Sequence, residues 1–272
     1  MVEAIGTEWR EMAIIAVVLL AILGIAEFFK RMVGCSVETS RKSIHVSVGL
    51  ILTSFPFFFE NFNSVFLLCS AILIFIILTL IFKSLNSLHG VQRSSLGAPL
   101  FPVATILIFY WAEGQWLLFS VPMVMLTIPD ALAALIGKSY DKMSFKVWGE
   151  KKSIEGSLTF MLTAFFLITL PLFYSGAVEL EKALMIGFLL SFFVACVEAF
   201  SAWGTDNFFI PVLSYWGLSY FLGFSMDQLV IHLSFLMVAI AMGIALFLAK
   251  KLSMTFALGV VFVLYLLTLL MI

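Results

Sequence analysis

The stretch Ser64–Phe82, SVFLLCSAILIFIILTLIF, runs for 19 residues without a charged side chain. A membrane-spanning α-helix needs about 20 mostly apolar residues, because a helix rises ~1.5 Å per residue and the hydrocarbon layer is ~30 Å thick. The whole chain is 63% hydrophobic and 11% charged. Soluble domains are about half apolar and about a quarter charged. We therefore expect an all-α fold, a polytopic helical bundle whose solvent is largely lipid.

Similar apolar segments recur along the chain and predict nine or ten membrane-spanning helices. The second, fourth and eighth segments are short, which is typical of tilted, broken or re-entrant helices. No linker separates them, so we expect a single membrane-embedded domain over residues 1–272, with its motifs between about 38 and 211. The predicted spans are 12–29, 44–59, 64–82, 98–112, 116–137, 157–174, 183–199, 208–223, 229–249 and 253–272.

Lysine and arginine residues are divided very unevenly between the loops that ten spans define. One side of the membrane receives 13 of the 15 basic residues, and the other receives only Arg10 and Lys182. Because cytoplasmic loops are enriched in Lys and Arg, the basic side is expected to be cytoplasmic and both chain ends to lie outside. The acidic N-terminal residues lack the pattern of a cleavable signal peptide. The inner side is cytosol for both the plasma membrane and the endoplasmic reticulum, so either membrane fits.

The net charge and the cysteines give no indication of a nucleic-acid partner, a disulfide framework or a zinc site. The net charge of −1 gives no reason to expect a nucleic acid. The three cysteines, at positions 35, 69 and 196, form no CxxC pair. They are therefore expected to be small apolar packing residues rather than a disulfide or zinc framework.

Four polar clusters interrupt the apolar pattern, all in the predicted cytoplasmic loops or the helix ends next to them. The first, ETSRKSIHVSVG at 38–49, contains Arg41, Lys42 and His45. Lys42 and His45 are three residues apart, so a helix would carry them on one face. The second, VQRSSLGAPLFP at 91–102, contains Arg93. Ionisable residues within spans indicate functional sites, although flanking Arg and Lys also serve simply to fix topology.

The third cluster, IPDALAALIGKSYDKMSFKVWGEKKSIEGS at 128–157, is the largest. Its Asp130, at the inner end of a span, should find a cation or lose its charge. Lysines follow at 138, 142, 146, 151 and 152, and Ser153 and Glu155 lead into the next span. Glycines at 149 and 156 permit close backbone approach, and amides at a helix start can face a phosphate. The segment predicts an anion site, with a solvated charged face as the alternative.

The fourth cluster, CVEAFSAWGTDNFFIP at 196–211, supplies Glu198, Asp206 and Asn207. Carboxylate and amide oxygens suit Mg²⁺. The alternative is that Thr205 or Asp206 caps the following helix, and capping does not exclude a metal.

Together the four clusters contain what phosphoryl or nucleotidyl transfer requires. Mg²⁺ bridges phosphates, Lys and Arg neutralise charge, and a carboxylate or imidazole accepts a proton from the acceptor hydroxyl. GKS at 137–139 is not a P-loop, because the first glycine of that motif is replaced by Leu132. A site at the membrane edge favours an acceptor held in the bilayer. A transporter is the alternative from another class, although its polar site would lie near the midplane.

The blocks RKSIHVSVG, RSSLGAPLFP, DALAALIGK…KKSIEGS and EAFSAWGTDNFFIP, in this order, resemble the polyprenol kinase family. That family comprises dolichol kinases, phytol and farnesol kinases and CTP-dependent diacylglycerol kinases. The resemblance covers about residues 38–211 and implies phosphorylation of a lipid alcohol, often with CTP as donor and with Mg²⁺. Pro129 stands where many relatives have glycine, and Asp141 where a glycine is usual.

The resemblance also implies roles for individual residues. Catalytic roles fall to Asp130, His45 and Lys42, and metal binding to Asp130, Glu198, Asp206 and Asn207. Nucleotide binding falls to Arg41, Arg93, Gly137, Lys138, Lys151, Lys152, Ser153, Glu155 and Gly156. Phosphatidate cytidylyltransferases resemble the third block equally well, and they also use CTP and Mg²⁺ but release pyrophosphate. The first and fourth blocks favour the kinase.

Overall fold

The computed structural model describes residues 2–33, 37–82, 96–140, 142–249 and 253–271. These residues form ten α-helices, one short 3₁₀ turn and one β-hairpin. The helices are α1 Val2–Val33, α2 Val37–Thr53, α3 Phe62–Ile81, α4 Gly97–Ala112, α5 Trp116–Tyr140, α6 Ile154–Tyr174, α7 Leu180–Phe200, α8 Asp206–Leu222, α9 Met226–Leu248 and α10 Met254–Met271. The 3₁₀ turn is Phe55–Phe57, and the strands are β1 Ser144–Val147 and β2 Glu150–Ser153. The all-α prediction is confirmed, and the hairpin is an addition that it did not contain.

Each predicted span coincides with one of these helices, but fewer of them meet the length and hydropathy expected of a membrane crossing. Among the described residues, six helices are long and apolar enough to cross: α1, α3, α5, α6, α7 and α9. α4 and α10 are apolar but shorter, and α2 and α8 have 17 residues each. The protein is thus a helical membrane protein, and the number of ten crossings stays a prediction.

The chain divides into two compact packing units. The first contains Met1–Ala131 and Trp203–Tyr215, and the second contains Leu132–Ala202 and Trp216–Ile272. Two of the three junctions fall inside continuous helices, α5 and α8, and the third falls in the short connection between α7 and α8. The division does not test the expectation of a single domain.

In the first unit, a buried carboxylate joins α1 to the start of α3. Glu8 is 8% exposed, and its Oε1 accepts hydrogen bonds from the backbone N–H of Glu60 at 2.7 Å and of Asn61 at 3.1 Å. Asn61 is the N-cap of α3 but makes no side-chain cap of its own. A negative charge is favourable at a helix N-terminus. Glu8 therefore supplies from α1 the acceptor that the N-terminal end of α3 lacks.

The core of the second unit is centred on α7. In the most apolar stretch of α7, 72% of the residues are buried, compared with 33% in α6 and 28% in α9. Gly187 of α7 lies so close to α6 that a Cβ there would be 2.0 Å from Thr169 Oγ1. Large side chains on the other helices remain exposed, among them Leu162, Phe166 and Met237. This pattern is expected where lipid, rather than water, surrounds the helices.

The hairpin belongs to the second unit and follows from alternation in the sequence SFKV–WG–EKKS. Phe145 and Val147 are buried and pack with Ala199, Phe200, Met254 and Leu258, whereas Ser144 and Lys146 are exposed. The two-residue loop has positive φ at both positions, 49° at Trp148 and 83° at Gly149. This is the requirement of a type I′ turn, whose twist matches that of the strands.

Candidate functional site

The most compact polar cluster of the first unit joins Lys42 and His45 of α2 to Asp130 of α5. Lys42 Nζ lies 3.8 Å and His45 Nε2 lies 3.9 Å from Asp130 Oδ2. The three side chains are only 17–27% exposed. Both distances exceed hydrogen-bond length, so Asp130 has two potential cations at ion-pair range. The prediction that Asp130 would find a cation is confirmed.

Close packing of α2 on α5 positions this cluster. A Cβ at Gly49 would lie 2.4 Å from Thr127 Oγ1, so any larger residue would push the helices apart. Gly49 follows His45 by one helical turn, and Thr127 precedes Asp130 by three residues. The glycine inside this apolar helix therefore brings the two functional faces together.

His45 is also fixed by a backbone contact. Its Nε2 donates a hydrogen bond to the carbonyl oxygen of Leu126 at 3.2 Å. In a neutral imidazole the other nitrogen, Nδ1, is then the acceptor. The ring also lies against Phe101 of α4, with centroids 5.3 Å apart. Neither Leu126 nor Phe101 was a sequence-predicted site residue, because apolar side chains within spans carry no signal that separates them from packing residues.

The fourth block meets the end of the second block at the start of α4. Asn207 Nδ2 donates to the Gly97 carbonyl at 2.8 Å, and Leu96 N–H donates to the Trp203 carbonyl at 2.9 Å. A Cβ on Gly97 would lie 2.9 Å from Asn207 Nδ2, so only glycine fits without movement. Gly97 lies one turn before Phe101 on α4. The α4 helix therefore contacts both the His45 ring and the Asn207 side chain.

Asp206 and Asn207 are the first residues of α8. Asp206 Oδ1 accepts a hydrogen bond from the Asn207 N–H at 3.1 Å. Asn207 uses its amide nitrogen to hold Gly97, which leaves its side-chain oxygen as the group that could bind a metal. This contact places the Asp206 carboxylate at the first turn of α8, a position that remains compatible with metal binding.

In the second unit, Ser153 begins α6 as predicted. It is the N-cap, and its Oγ accepts from the Gly156 N–H at 3.1 Å. Gly137 of α5 packs against this cap: a Cβ there would be 2.8 Å from Ser153 Oγ and 3.4 Å from Gly156 Cα. A Cβ on Gly156 would be 3.0 Å from the Ala133 carbonyl oxygen. The two glycines thus allow α5 and α6 to touch at the start of α6.

The two lysines of the KKS sequence have different surroundings. Lys152 Nζ contacts Glu198 Oε1 at 2.5 Å and the Glu198 carbonyl oxygen at 3.0 Å. Their side chains are 18% and 8% exposed. Lys152 therefore holds β2 against the C-terminal turn of α7, where a cation is favourable. Lys151 is exposed on the hairpin, and Lys138 is exposed in the last turn of α5.

Glu155 orders the connection that precedes the hairpin. Its Oε1 accepts from the Met143 N–H at 3.1 Å, and the Met143 carbonyl accepts from the Ile154 N–H at 2.9 Å. Two predicted binding residues cannot be compared with the structure. Arg93 lies outside the described residues, and Arg41 lies on α2 without a described side chain.

Comparison with curated proteins finds the phytol kinase of Synechocystis sp., which is 27% identical over 222 residues. The match covers 78% of this chain and 93% of that protein. This similarity supports membership of the polyprenol kinase family. No family model matches the chain, and no solved structure matches it. The similarity to the phytol kinase agrees with the four ordered sequence blocks, which resemble the same family.

The four sequence blocks are distributed between the two packing units. Described parts of the first, second and fourth blocks, including Lys42, Gly97 and Asn207, contribute to the first unit. Most of the third block and Glu198 belong to the second. Each unit therefore has its own polar cluster, one around Asp130 and one around Ser153 and Lys152.

The described residues contain no group of three or more His, Cys, Asp or Glu that could hold a metal ion by themselves. Asp130 faces Lys42 and His45, and Glu198 is paired with Lys152. Mg²⁺ in nucleotide enzymes, however, is bound by one or two carboxylates together with substrate phosphates and water. The oxygens of Asp206 and Asn207 fit that weaker requirement, so a magnesium role for them stays a prediction.

Proposed function

We propose that this protein is a membrane lipid-alcohol kinase that transfers the γ-phosphate of CTP, or of another nucleoside triphosphate, to the hydroxyl of a lipid alcohol. The acceptor class is a polyprenol, dolichol or phytol-type alcohol, or diacylglycerol. The observation that carries the proposal is the Lys42–His45–Asp130 cluster, an ionisable triad in which all three side chains are largely buried. The similarity to a protein named phytol kinase supports the same reaction class.

The reaction requires the lipid oxygen to bond to the γ-phosphorus while the bond from that phosphorus to the bridging oxygen breaks. The nucleoside diphosphate leaves, and the hydroxyl proton moves to a base. We assign the base to Asp130, because it is the carboxylate of this cluster and Lys42 and His45 fix its position at ion-pair range. His45 donates its Nε2 proton to Leu126, so we assign it to positioning the cluster.

We assign nucleotide binding to residues of the third block together with Arg41 and Arg93. Lys151 and Lys138 are exposed and cationic, and the start of α6 offers backbone amides beside Ser153. Lys152 contributes by fixing the hairpin through Glu198. Asp206 and Asn207 would hold Mg²⁺ that arrives with the nucleotide, where the ion would neutralise charge on the transferred phosphoryl group.

The proposal is tested with purified protein in nanodiscs, Mg²⁺, and CTP labelled either in the base or in the γ-phosphate. The acceptors are a panel of isoprenoid alcohols, diacylglycerol and phosphatidate. We expect γ-label on an alcohol, release of CDP, and loss of turnover in Asp130→Asn. Competition with unlabelled ATP, GTP and UTP identifies the donor. Cytidine on phosphatidate with release of pyrophosphate would replace the kinase with a cytidylyltransferase. Absence of any nucleotide turnover across the panel would refute both.

A further inference from the structure

Trp148 occupies a position in the hairpin turn that its side chain does not favour. Its φ is 49°, and the side chain is 69% exposed. Positive φ is uncommon for bulky residues, and type I′ turns prefer Asn, Asp or Gly at this place. The buried face of the hairpin is completed by Phe145 and Val147, without Trp148. Neither the turn nor the packing explains a tryptophan here.

The exposed face of the hairpin places two like charges opposite each other. Lys146 of β1 pairs directly with Lys151 of β2, and both are exposed. Directly opposed like charges destabilise a β-ladder. The preceding residue pair on the other face, Phe145 and Lys152, is directed to the protein interior, where Lys152 meets Glu198. The exposed Lys146 gives this face a positive charge that an anionic surface would complement.

The position of the hairpin in the chain indicates which anionic surface is available. The hairpin connects α5 to α6, and both helices are long and apolar enough to cross a membrane. β2 continues without a break into α6. The buried face packs on the last residues of α7 and the first turns of α10, and Thr255 of α10 donates to the Lys146 carbonyl at 3.2 Å. The hairpin is thus held at the ends of helices that are long and apolar enough to cross a bilayer.

We propose that the hairpin docks on the anionic lipid headgroups of the membrane that holds the protein. Trp148 lies in the interfacial layer, and Lys146 contacts lipid phosphates. Tryptophan is enriched at membrane interfaces because it has an apolar body and a polar N–H. Lysines near an anionic leaflet are attracted to it within about a Debye length, ~8 Å at physiological salt. This docking is independent of the proposed kinase reaction.

The test uses the full-length protein in nanodiscs of phosphatidylcholine, with or without phosphatidylglycerol. The Trp148→Asn variant provides the background spectrum of the other tryptophans. It should still fold, because Asn-Gly is a favoured type I′ turn. The fluorescence of Trp148 is the wild-type spectrum minus that of Trp148→Asn. We expect this difference to be quenched by lipids brominated near the headgroup, more strongly when phosphatidylglycerol is present, and to be protected from aqueous iodide.

Lys146 provides the matched pair of charge variants, because it has no assigned role in nucleotide binding. The Trp148 signal of the Lys146→Gln variant is obtained by subtracting the spectrum of the double variant Lys146→Gln, Trp148→Asn. In the anionic nanodiscs, Lys146→Gln should reduce the ratio of docked to undocked hairpin about fivefold. Lys146→Arg keeps the charge and should preserve the quenching. Quenching of Trp148 by iodide with no response to brominated or anionic lipid would overturn the proposal. A Trp148 signal that responds to CTP in lipid-free detergent and not to lipid would instead make the hairpin a nucleotide surface.

Discussion

At the scale of single residues, His45 is held by a hydrogen bond that another side chain can reproduce. The amide of glutamine can place a donor near the position of His45 Nε2, 3.2 Å from the Leu126 carbonyl. If His45 positions Asp130, His45→Gln should retain most of the kcat for lipid phosphorylation. His45→Ala should lower kcat by about 10²-fold, since misplacement of a catalytic group has effects of that size.

The comparison of the two variants separates positioning from proton transfer. A glutamine cannot accept the proton as an imidazole does, so equal loss in His45→Gln and His45→Ala would make His45 the base. The binding of nucleotide, measured by equilibrium titration in both variants, should remain at the wild-type level. Asp130→Asn serves as the reference for complete loss of the base.

Lys152 and Glu198 are a second residue-scale case, because the family resemblance implies a ligand role for each of them and the structure pairs them with each other. Removing one member of a largely buried ion pair leaves an uncompensated charge and costs roughly 3–5 kcal/mol, whereas apolar replacement of both is often neutral. We therefore expect Lys152→Met to lower the Tm in detergent. Adding Glu198→Leu to that variant should recover much of the loss. A Tm unchanged by Lys152→Met, together with weakened CTP binding, would return Lys152 to the role of phosphate ligand.

At the scale of elements, the contact between α5 and α6 rests on three small residues. A Cβ on Gly137 would meet Ser153 Oγ at 2.8 Å, but its next neighbour, Gly156 Cα, is at an ordinary 3.4 Å. Ser153→Ala removes the cap and should cost about 1 kcal/mol. Gly137→Ala alone should also destabilise the protein, because it presses on the capping hydroxyl.

The two substitutions should therefore be non-additive. With Ser153→Ala present, the atom that obstructs the new methyl group is gone, so Gly137→Ala should add little further destabilisation. The four unfolding free energies, measured by reversible chemical denaturation in one detergent, complete the double-mutant cycle. Strict additivity would mean that the helices adjust at Gly137 and that the contact does not limit their approach.

The elements also show which parts of the fold local sequence patterns can predict. Long apolar runs such as 64–82 identified the helices, and the order Lys-Lys-Ser before an apolar run identified the start of α6. The hairpin was missed, although Ser144–Val147 alternates polar and apolar residues, because the lysines around it read as a charged loop. Contacts such as Lys152–Glu198 and Asn207–Gly97 join residues 46 and 110 positions apart. No local pattern encodes such pairs, since they depend on how helices pack.

At the scale of the whole molecule, the open question is how many helices cross the bilayer. Charge asymmetry favours ten crossings, while length and hydropathy single out six helices among the described residues. The helix α8 is counted as a crossing by charge asymmetry but not by length and hydropathy. Its 17 residues begin with Asp206 and Asn207, and the exposed Asp227 follows it. If α8 crosses, Asp227 lies outside together with Glu181, and Ser144 of the hairpin lies inside.

This topology is testable with Ser144→Cys, Glu181→Cys and Asp227→Cys, each in a Cys35→Ser background, and an impermeant thiol reagent added to intact cells. Cys69 and Cys196 lie within helices α3 and α7, so the background chain alone should label weakly. Ten crossings predict labelling at 181 and 227 and protection at 144. Labelling at 181 with protection at 227 would mean that α8 does not cross. Labelling at 144 would reverse the orientation and place the hairpin and its lysines on the outer leaflet, where the positive-inside asymmetry gives no reason for them to be.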